Sequence, residues 1–157
     1  MGQKVNPIGL RLGVNKTWKS KWYVDPREYA ATLHEDLKLR KALLSCPEVQ
    51  GAEISDVEIV RKPQRVSLTI ATSRPGIIIG SKGANVEKLG ARLQGLTDKK
   101  IQIKIKEIKK PDADAQLIAA NVAKQLVNRG SHRRALKTAI SKAMQAGAQG
   151  VKIKVSG

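Results

Sequence analysis

Apolar positions along this 157-residue chain switch between two spacings, and the switches mark its elements. Asp25-Pro26-Arg27-Glu28 has the composition of a helix start. Asp25 suits the N-cap, Pro26 the first helical position, and Glu28 the acid of a capping-box-like arrangement. Tyr29, Leu33, Leu37 and Leu44 then recur at helical spacing, with Pro47 near the end, and predict an apolar stripe on that helix. The period drops to two, imperfectly over residues 54–60 and cleanly at Val66, Leu68 and Ile70, where Ser67 and Thr69 intervene. Two strands with a hairpin at Pro63-Gln64 follow from this. After the break at Arg74-Pro75-Gly76, Ile77-Ile78-Ile79 predicts a short apolar helix running into Gly80-Ser81-Lys82-Gly83. Val86, Leu89, Leu93 and Leu96 give the next helix one apolar face.

Further on, Ile101, Ile103 and Ile105 alternate with Gln102, Lys104 and Lys106, the pattern of a half-buried strand with a basic outer face. Lys109-Lys110-Pro111 closes this unit. Residues 112–127 predict a helix with Ile118, Val122 and Leu126 on one stripe and Asp112 and Asp114 at its positive end. Gly130 separates it from an amphipathic helix over 131–146. Val151, Ile153 and Val155 predict a last alternating strand. Residues 1–24 are different: Pro7, Gly9 and Gly13 interrupt every period, as in a segment that lies along a partner rather than folding alone. All four aromatic residues (Trp18, Trp22, Tyr23 and Tyr29) lie close together here. An anchor that packs this arm onto the domain is favoured over base stacking.

Charge changes the picture most. Lys and Arg number 30 against 13 Asp and Glu, a net charge of +17, which calls for a polyanionic partner, nucleic acid first. Residues 1–24 contain no acid, and none follows Asp114, whereas residues 25–58 hold most of the acids. Acid-free ends around an acid-rich segment read as two polyanion-facing ends and a middle turned elsewhere. Cys46 is alone, which excludes a disulfide framework within the chain, and it is expected as a small buried residue. His34 and His132 each lack a plausible ligand set, so neither metal nor cofactor is expected. There is no apolar signal region, Asn6 breaks the myristoylation pattern, and no segment approaches a membrane span. A soluble cytoplasmic protein without a membrane partner is expected.

Gly80-Ser81-Lys82-Gly83 is the most informative motif. Two glycines around a small polar residue and a lysine allow a sharp turn that a phosphate can approach closely. The following helix N-terminus favours an anion, and Lys82 adds a mobile positive charge. This is the form of the GxxG clamp by which KH domains hold a nucleic-acid backbone. From residue 26 the order helix, strand, strand, short helix, GxxG, helix, strand and extra helix is that of a type II KH domain. The fold class expected is therefore α+β: helices on one face of a three-stranded sheet, an N-terminal basic arm, and a partial α/β C-terminal domain. The boundaries are 1–24 for the arm, 25–110 for the KH domain, 111–130 for an added helix packed on it, and 131–157 for the start of a second domain.

Four segments extend the resemblance across the chain. They are Gly2-Gln3-Lys4-Val5-Asn6-Pro7-Ile8-Gly9-Leu10-Arg11-Leu12-Gly13, Arg74-Pro75-Gly76 with the glycine loop, Arg133-Arg134-Ala135-Leu136-Lys137, and residues 150–157. With them the sequence resembles the family of bacterial small-subunit ribosomal protein number three. The resemblance implies a structural RNA-binding protein of the subunit head, with Gln3, Lys4, Asn6 and Arg11 of the arm on ribosomal RNA. It implies that Arg133, Arg134 and Lys137 line the mRNA entry path and help to open structured message. It also implies head proteins ten and fourteen as neighbours. Independently, Arg133, Arg134 and Lys137 fall near one face of their helix. Family members carry further strands after the position of Val155, so residues 131–157 are expected as part of a domain.

Other classes fit less well. Lys82 precedes Gly83 instead of directly following the second glycine of a P-loop, and no Gly-x-Ser-x-Gly or Cys–His pair is present. No catalytic residue is assigned. A free-standing KH regulator of RNA remains as an alternative, against which the arm and the partial second domain both argue.

Overall fold

The computed structural model describes residues 2–156. Helix α1 (Pro7–Arg11) and strand β1 (Ser20–Lys21) lie in the arm. They are followed by helix α2 (Pro26–Ser45), strands β2 (Ile54–Lys62) and β3 (Arg65–Thr72), short helix α3 (Pro75–Ile79), helix α4 (Ala84–Gln94) and strand β4 (Lys100–Glu107). Helices α5 (Ala115–Val127) and α6 (His132–Gln145) complete the described elements. The two-residue turn Pro63-Gln64 sets the antiparallel register of β2 on β3, which pairs Lys62 with Arg65 and Ile59 with Leu68. Strands β3 and β4 run parallel, Leu68 beside Ile103, so the chain must cross over between them. That crossover is α3, the glycine loop and α4.

Helices cover one face of the sheet. Leu39 and Leu43 of α2, Ile78 of α3, and Leu89 and Leu93 of α4 meet Ile59, Val66, Leu68 and Ile70, all at 1% exposure or less. Each such side chain contributes about 1.5–3 kcal/mol relative to an exposed one. Ile101, Ile103 and Ile105 pack on the same cluster from β4, and Cys46 is buried in it, as expected. The other face of the sheet stays open to solvent.

The three strands of the KH unit are present, and the arm adds a fourth. Ser20–Lys21 pairs parallel with Ile59 and Val60, giving the order β1-β2-β3-β4. Arg40 fastens this edge by donating to the carbonyls of Val57 and Lys19 and to Ser20 Oγ. The arm's end is therefore part of the domain. Trp22 is the aromatic anchor: its ring lies 5.2 Å from that of Tyr29, and its indole N–H reaches Asp36. Trp18 and Tyr23 stay exposed.

Helix α2 faces the sheet differently from the pattern. Its buried residues are Asp36, Leu39 and Leu43, while Tyr29, Leu33, Leu37 and Leu44 form an exposed stripe. The reason is electrostatic. Arg61 projects from β2 toward α2 and donates from Nε to Asp36 Oδ1 at 2.6 Å and from Nη1 to Glu35 Oε2 at 2.9 Å. A buried ion pair therefore occupies positions that an apolar count assigns to solvent. Asp25 precedes Pro26 as expected, but its side chain caps nothing; its carbonyl instead accepts from Glu28 N.

Two boundaries shift at the C-terminal end. Pro111–Ala113 forms a single 3-10 turn, and α5 starts at Ala115 because Asp114 Oδ1 caps it, accepting from Gln116 N and Leu117 N at 3.0 and 3.1 Å. Residues 151–155 form no strand: Val151 and Ile153 are half-buried and Lys152 and Lys154 exposed, but no described segment supplies a hydrogen-bonding partner. Alternation specifies a face, whereas a strand also needs a ladder.

Candidate nucleic-acid interface

The glycine loop is built from β3 outward. Thr72, at the end of β3, donates its hydroxyl to the Ala52 carbonyl and accepts from Arg74 N at 3.0 Å. Pro75 then opens α3, which buries Ile78 and leaves Ile77 and Ile79 partly exposed at 37% and 42%. Helix α3 stops at Gly80, whose φ of 69° and ψ of −176° lie in a region essentially reserved for glycine. Lys82 (φ 53°, ψ 23°) and Gly83 (φ 85°, ψ 4°) are both left-handed, so the chain reverses and α4 starts at Ala84. Ser81 and Lys82 point to solvent, with the apolar flank of Ile77 and Ile79 next to them. The turn thus leaves Lys82 exposed between the half-exposed end of α3 and the start of α4.

Sequence reasoning missed Asn85. Its Nδ2 donates to the Ile77 carbonyl at 2.9 Å, which ties α4 to the last turn of α3 across the loop. A Cβ on Gly80 would lie 2.6 Å from Asn85 Cγ. Gly80 is therefore required twice, for its backbone angles and for the space Asn85 fills. An Asn in the first turn after a glycine loop was the available signal.

The arm is a separate surface. Asn6 Oδ1 caps α1, accepting from Ile8 N and Gly9 N at 2.9 and 3.1 Å, and Arg11 Nη1 donates to the Pro7 carbonyl at 3.3 Å. Asn6 and Arg11 thus help to hold the arm's own turn, while Gln3 and Lys4 are exposed. Val5, Ile8, Leu10 and Val14 are exposed too, so α1 buries nothing against the rest of the molecule.

On α6, Ala135 and Ala143 are buried and Arg133, Arg134 and Lys137 exposed, so the three cations share the outward side as their spacing predicts. None of them is in an ion pair among the described residues. The arm, the glycine loop and α6 each present exposed cations. Among the described residues no group of three His, Cys, Asp or Glu side chains could hold a metal ion, and no helix is long and apolar enough to cross a membrane.

Comparison with known proteins agrees with this layout. The family model for the KH domain matches residues 45–113, and that for the ribosomal protein S3 C-terminal domain matches residues 122–157. The chain is 58% identical over 157 residues to a Treponema pallidum protein named small ribosomal subunit protein uS3, covering all of this chain and 64% of that relative. The same name belongs to a Borreliella burgdorferi relative, 51% identical with 54% of its length covered, and to a Staphylococcus aureus relative, 50% identical with 71% covered. The chain spans 64% and 66% of the two Treponema relatives' lengths. Identity of this level along the whole chain, with both family models in their proper order on a KH fold, places the chain in the small ribosomal subunit protein uS3 family.

Proposed function

We propose that this chain is a non-enzymatic, structural RNA-binding protein of the cytoplasmic small ribosomal subunit, seated in its head. The arm, through Gln3, Lys4, Asn6 and Arg11, lies on ribosomal RNA. Residues 80–83 admit a nucleic-acid backbone, and Arg133, Arg134 and Lys137 face mRNA on its entry path. The observation that carries this reading is the glycine loop: Lys82 stands exposed in a left-handed turn between two positive-φ glycines, beside the shelf of Ile77 and Ile79. Phosphate is the ligand such a turn suits, since backbone N–H groups, helix start and lysine charge all favour an anion there. The exposed stripe of Tyr29, Leu33, Leu37 and Leu44 supports protein neighbours, for which the family resemblance suggests head proteins ten and fourteen.

The test is RNA binding by the full chain over a range of salt concentrations. Phosphate-dominated binding gives a log–log slope of about −0.7 per neutralised phosphate on single strands, and affinity independent of salt would sink the reading. Replacing Ser81 and Lys82 by aspartate keeps a loop-compatible residue while reversing the charge. Weaker single-strand binding with unchanged melting temperature is expected, and equal affinity would leave residues 80–83 as a structural turn only.

A further inference from the structure

The open face of the sheet carries a charge pattern that the sites above do not use. Strand register aligns its outward residues in rows: Lys62, Arg65 and Lys100 at one end, then Val60, Ser67 and Gln102, then Glu58, Thr69 and Lys104, then Asp56, Ala71 and Lys106. The central strand contributes only Ser67, Thr69 and Ala71 beyond Arg65, so the floor is low and polar. Both acids on this face are occupied from the arm: Asp56 pairs with Lys19, just before β1, at 2.8 Å and Glu58 with Lys21 of β1. Lys62, Arg65, Lys100, Lys104 and Lys106 are exposed, and none is in an ion pair among the described residues. Edge protection accounts for lysines on β4, the rim strand. It does not account for Lys62 and Arg65, which belong to inner strands, or for the small residues between the cations.

We propose that this face is a second RNA-binding surface, on the side of the sheet opposite the helices, and that it takes the sugar–phosphate backbone of double-helical RNA. The inference rests on the RNA-binding reading above. Charge decides the class of ligand: once the two acids are neutralised by β1 and the residue before it, only cations are left to meet a partner. Shape decides the form of RNA. Strands β2, β3 and β4 contribute no aromatic side chain to this face; Trp18 borders it beside Asp56, Thr69 and Lys106, and one ring at a rim cannot stack a run of unpaired bases. A flat floor of hydroxyls and one amide, Gln102, bordered by lysines, suits the shallow minor groove of an RNA helix, which displays 2′-hydroxyls and phosphates. From Lys100 to Lys106 the basic rim runs about 20 Å at the usual rise per residue. Backbone recognition of this kind positions the protein without reading sequence.

The experiment compares the full chain with the double variant Lys104→Gln/Lys106→Gln on two probes, an RNA duplex with blunt ends and an unstructured single strand. The variant is expected to lose about tenfold or more on the duplex, with the salt slope reduced by about one per lysine, and to stay within about twofold on the single strand. Ser81→Asp/Lys82→Asp is expected to do the reverse. Full duplex affinity in a folded Lys104→Gln/Lys106→Gln protein overturns the proposal, as does an equal loss on both probes. Should that variant aggregate, Lys62→Gln/Arg65→Gln, away from the rim, is measured instead. Unchanged duplex affinity there assigns the β4 lysines to edge protection and also overturns it. If RNA binding is normal on both probes but incorporation into subunits fails, the face belongs to a protein partner and the proposal falls. Loss of all RNA binding by the unaltered chain defeats the parent reading instead.

Discussion

Trp22 donates its indole N–H to Asp36 Oδ2 at 2.8 Å, which fastens the end of the basic arm to a carboxylate only 1% exposed inside the domain. The other oxygen of Asp36 takes the Arg61 guanidinium, and the Arg61 side chain is itself only 4% exposed. Arm, first long helix and second strand therefore share one buried polar junction. Trp22→Phe keeps the ring against Tyr29 but leaves Asp36 short of a donor, a cost of about 1–3 kcal/mol. Arg61→Met leaves the buried carboxylate without its charge partner, for which about 3–5 kcal/mol is typical. Urea unfolding of the two variants should reproduce that order; a neutral Arg61→Met would mean that the buried junction does not depend on the Arg61 charge.

Glu35, beside the same junction, sets an acid limit on stability. Burial pushes its carboxyl up, but a hydrogen bond from Thr97, the hydrogen bond and charge of Arg61, and the charge of Lys99 together hold it below its ordinary value. A carboxyl depressed in the folded state stabilises fully above its unfolded value of about 4.3, and that contribution disappears as pH falls through the lower folded value. Wild type should therefore exceed Glu35→Gln in stability at neutral pH, with the gap closing below about pH 4.3. A gap independent of pH across that range would leave Glu35 with no part in the acid limit.

Gly80 and Asn85 permit a sharper test than either alone. Gly80→Ala meets both a positive φ and the Asn85 side chain, whereas Gly83→Ala meets only a positive φ, since nothing lies within 4 Å of where its methyl group would sit. Gly83→Ala should cost about 1–2 kcal/mol and Gly80→Ala more. In an Asn85→Ala background the 2.6 and 2.7 Å contacts disappear and only the 3.0 Å approach to Cβ remains, so the steric part of the Gly80→Ala cost should shrink and the double variant be less destabilised than the sum of the singles. Strict additivity would show that the two side chains do not compete for that space.

The C-terminal segment gives a dynamic expectation. Without a described ladder partner, amides at 151–155 should exchange quickly, whereas those of Ile101, Ile103 and Ile105 on β4 should be strongly protected. Hydrogen exchange followed residue by residue distinguishes the two, and slow exchange across 151–155 in the isolated chain would require a partner strand.

Much of this architecture was legible because local signals and tertiary packing agree. The clean alternation at Val66, Leu68 and Ile70 became the central strand, and the turn at Pro63-Gln64 fixed its register. The glycine loop could be placed because Gly80 and Gly83 have few other reasons to stand between two apolar segments. What stayed hidden depends on partners distant in sequence. Asp36 is buried only because Arg61 reaches it, and Ser20 joins the sheet only because β2 offers an edge held by Arg40. Asn85 was overlooked because its hydrogen bond crosses the loop to Ile77, a relation that no periodicity carries.

Arg133, Arg134 and Lys137 provide the most discriminating functional test. They project from α6 opposite the buried Ala135 and Ala143, and no carboxylate among the described residues pairs with them. Structure alone therefore gives no stabilising task to these charges. Replacing all three by alanine should change folding stability by less than about 0.5 kcal/mol, because alanine favours helix and exposed charges contribute little. A role in opening message predicts a specific contrast when a full-length protein carrying the changes is assembled into ribosomes. Translation through a stable mRNA hairpin should slow more than translation through unstructured message. Contacts that merely hold the message would slow both alike, since their loss does not depend on how firmly the message is folded. Unaltered rates on both messages would leave the three residues as a solvated helix face, and α6 would then owe its charge to solubility alone.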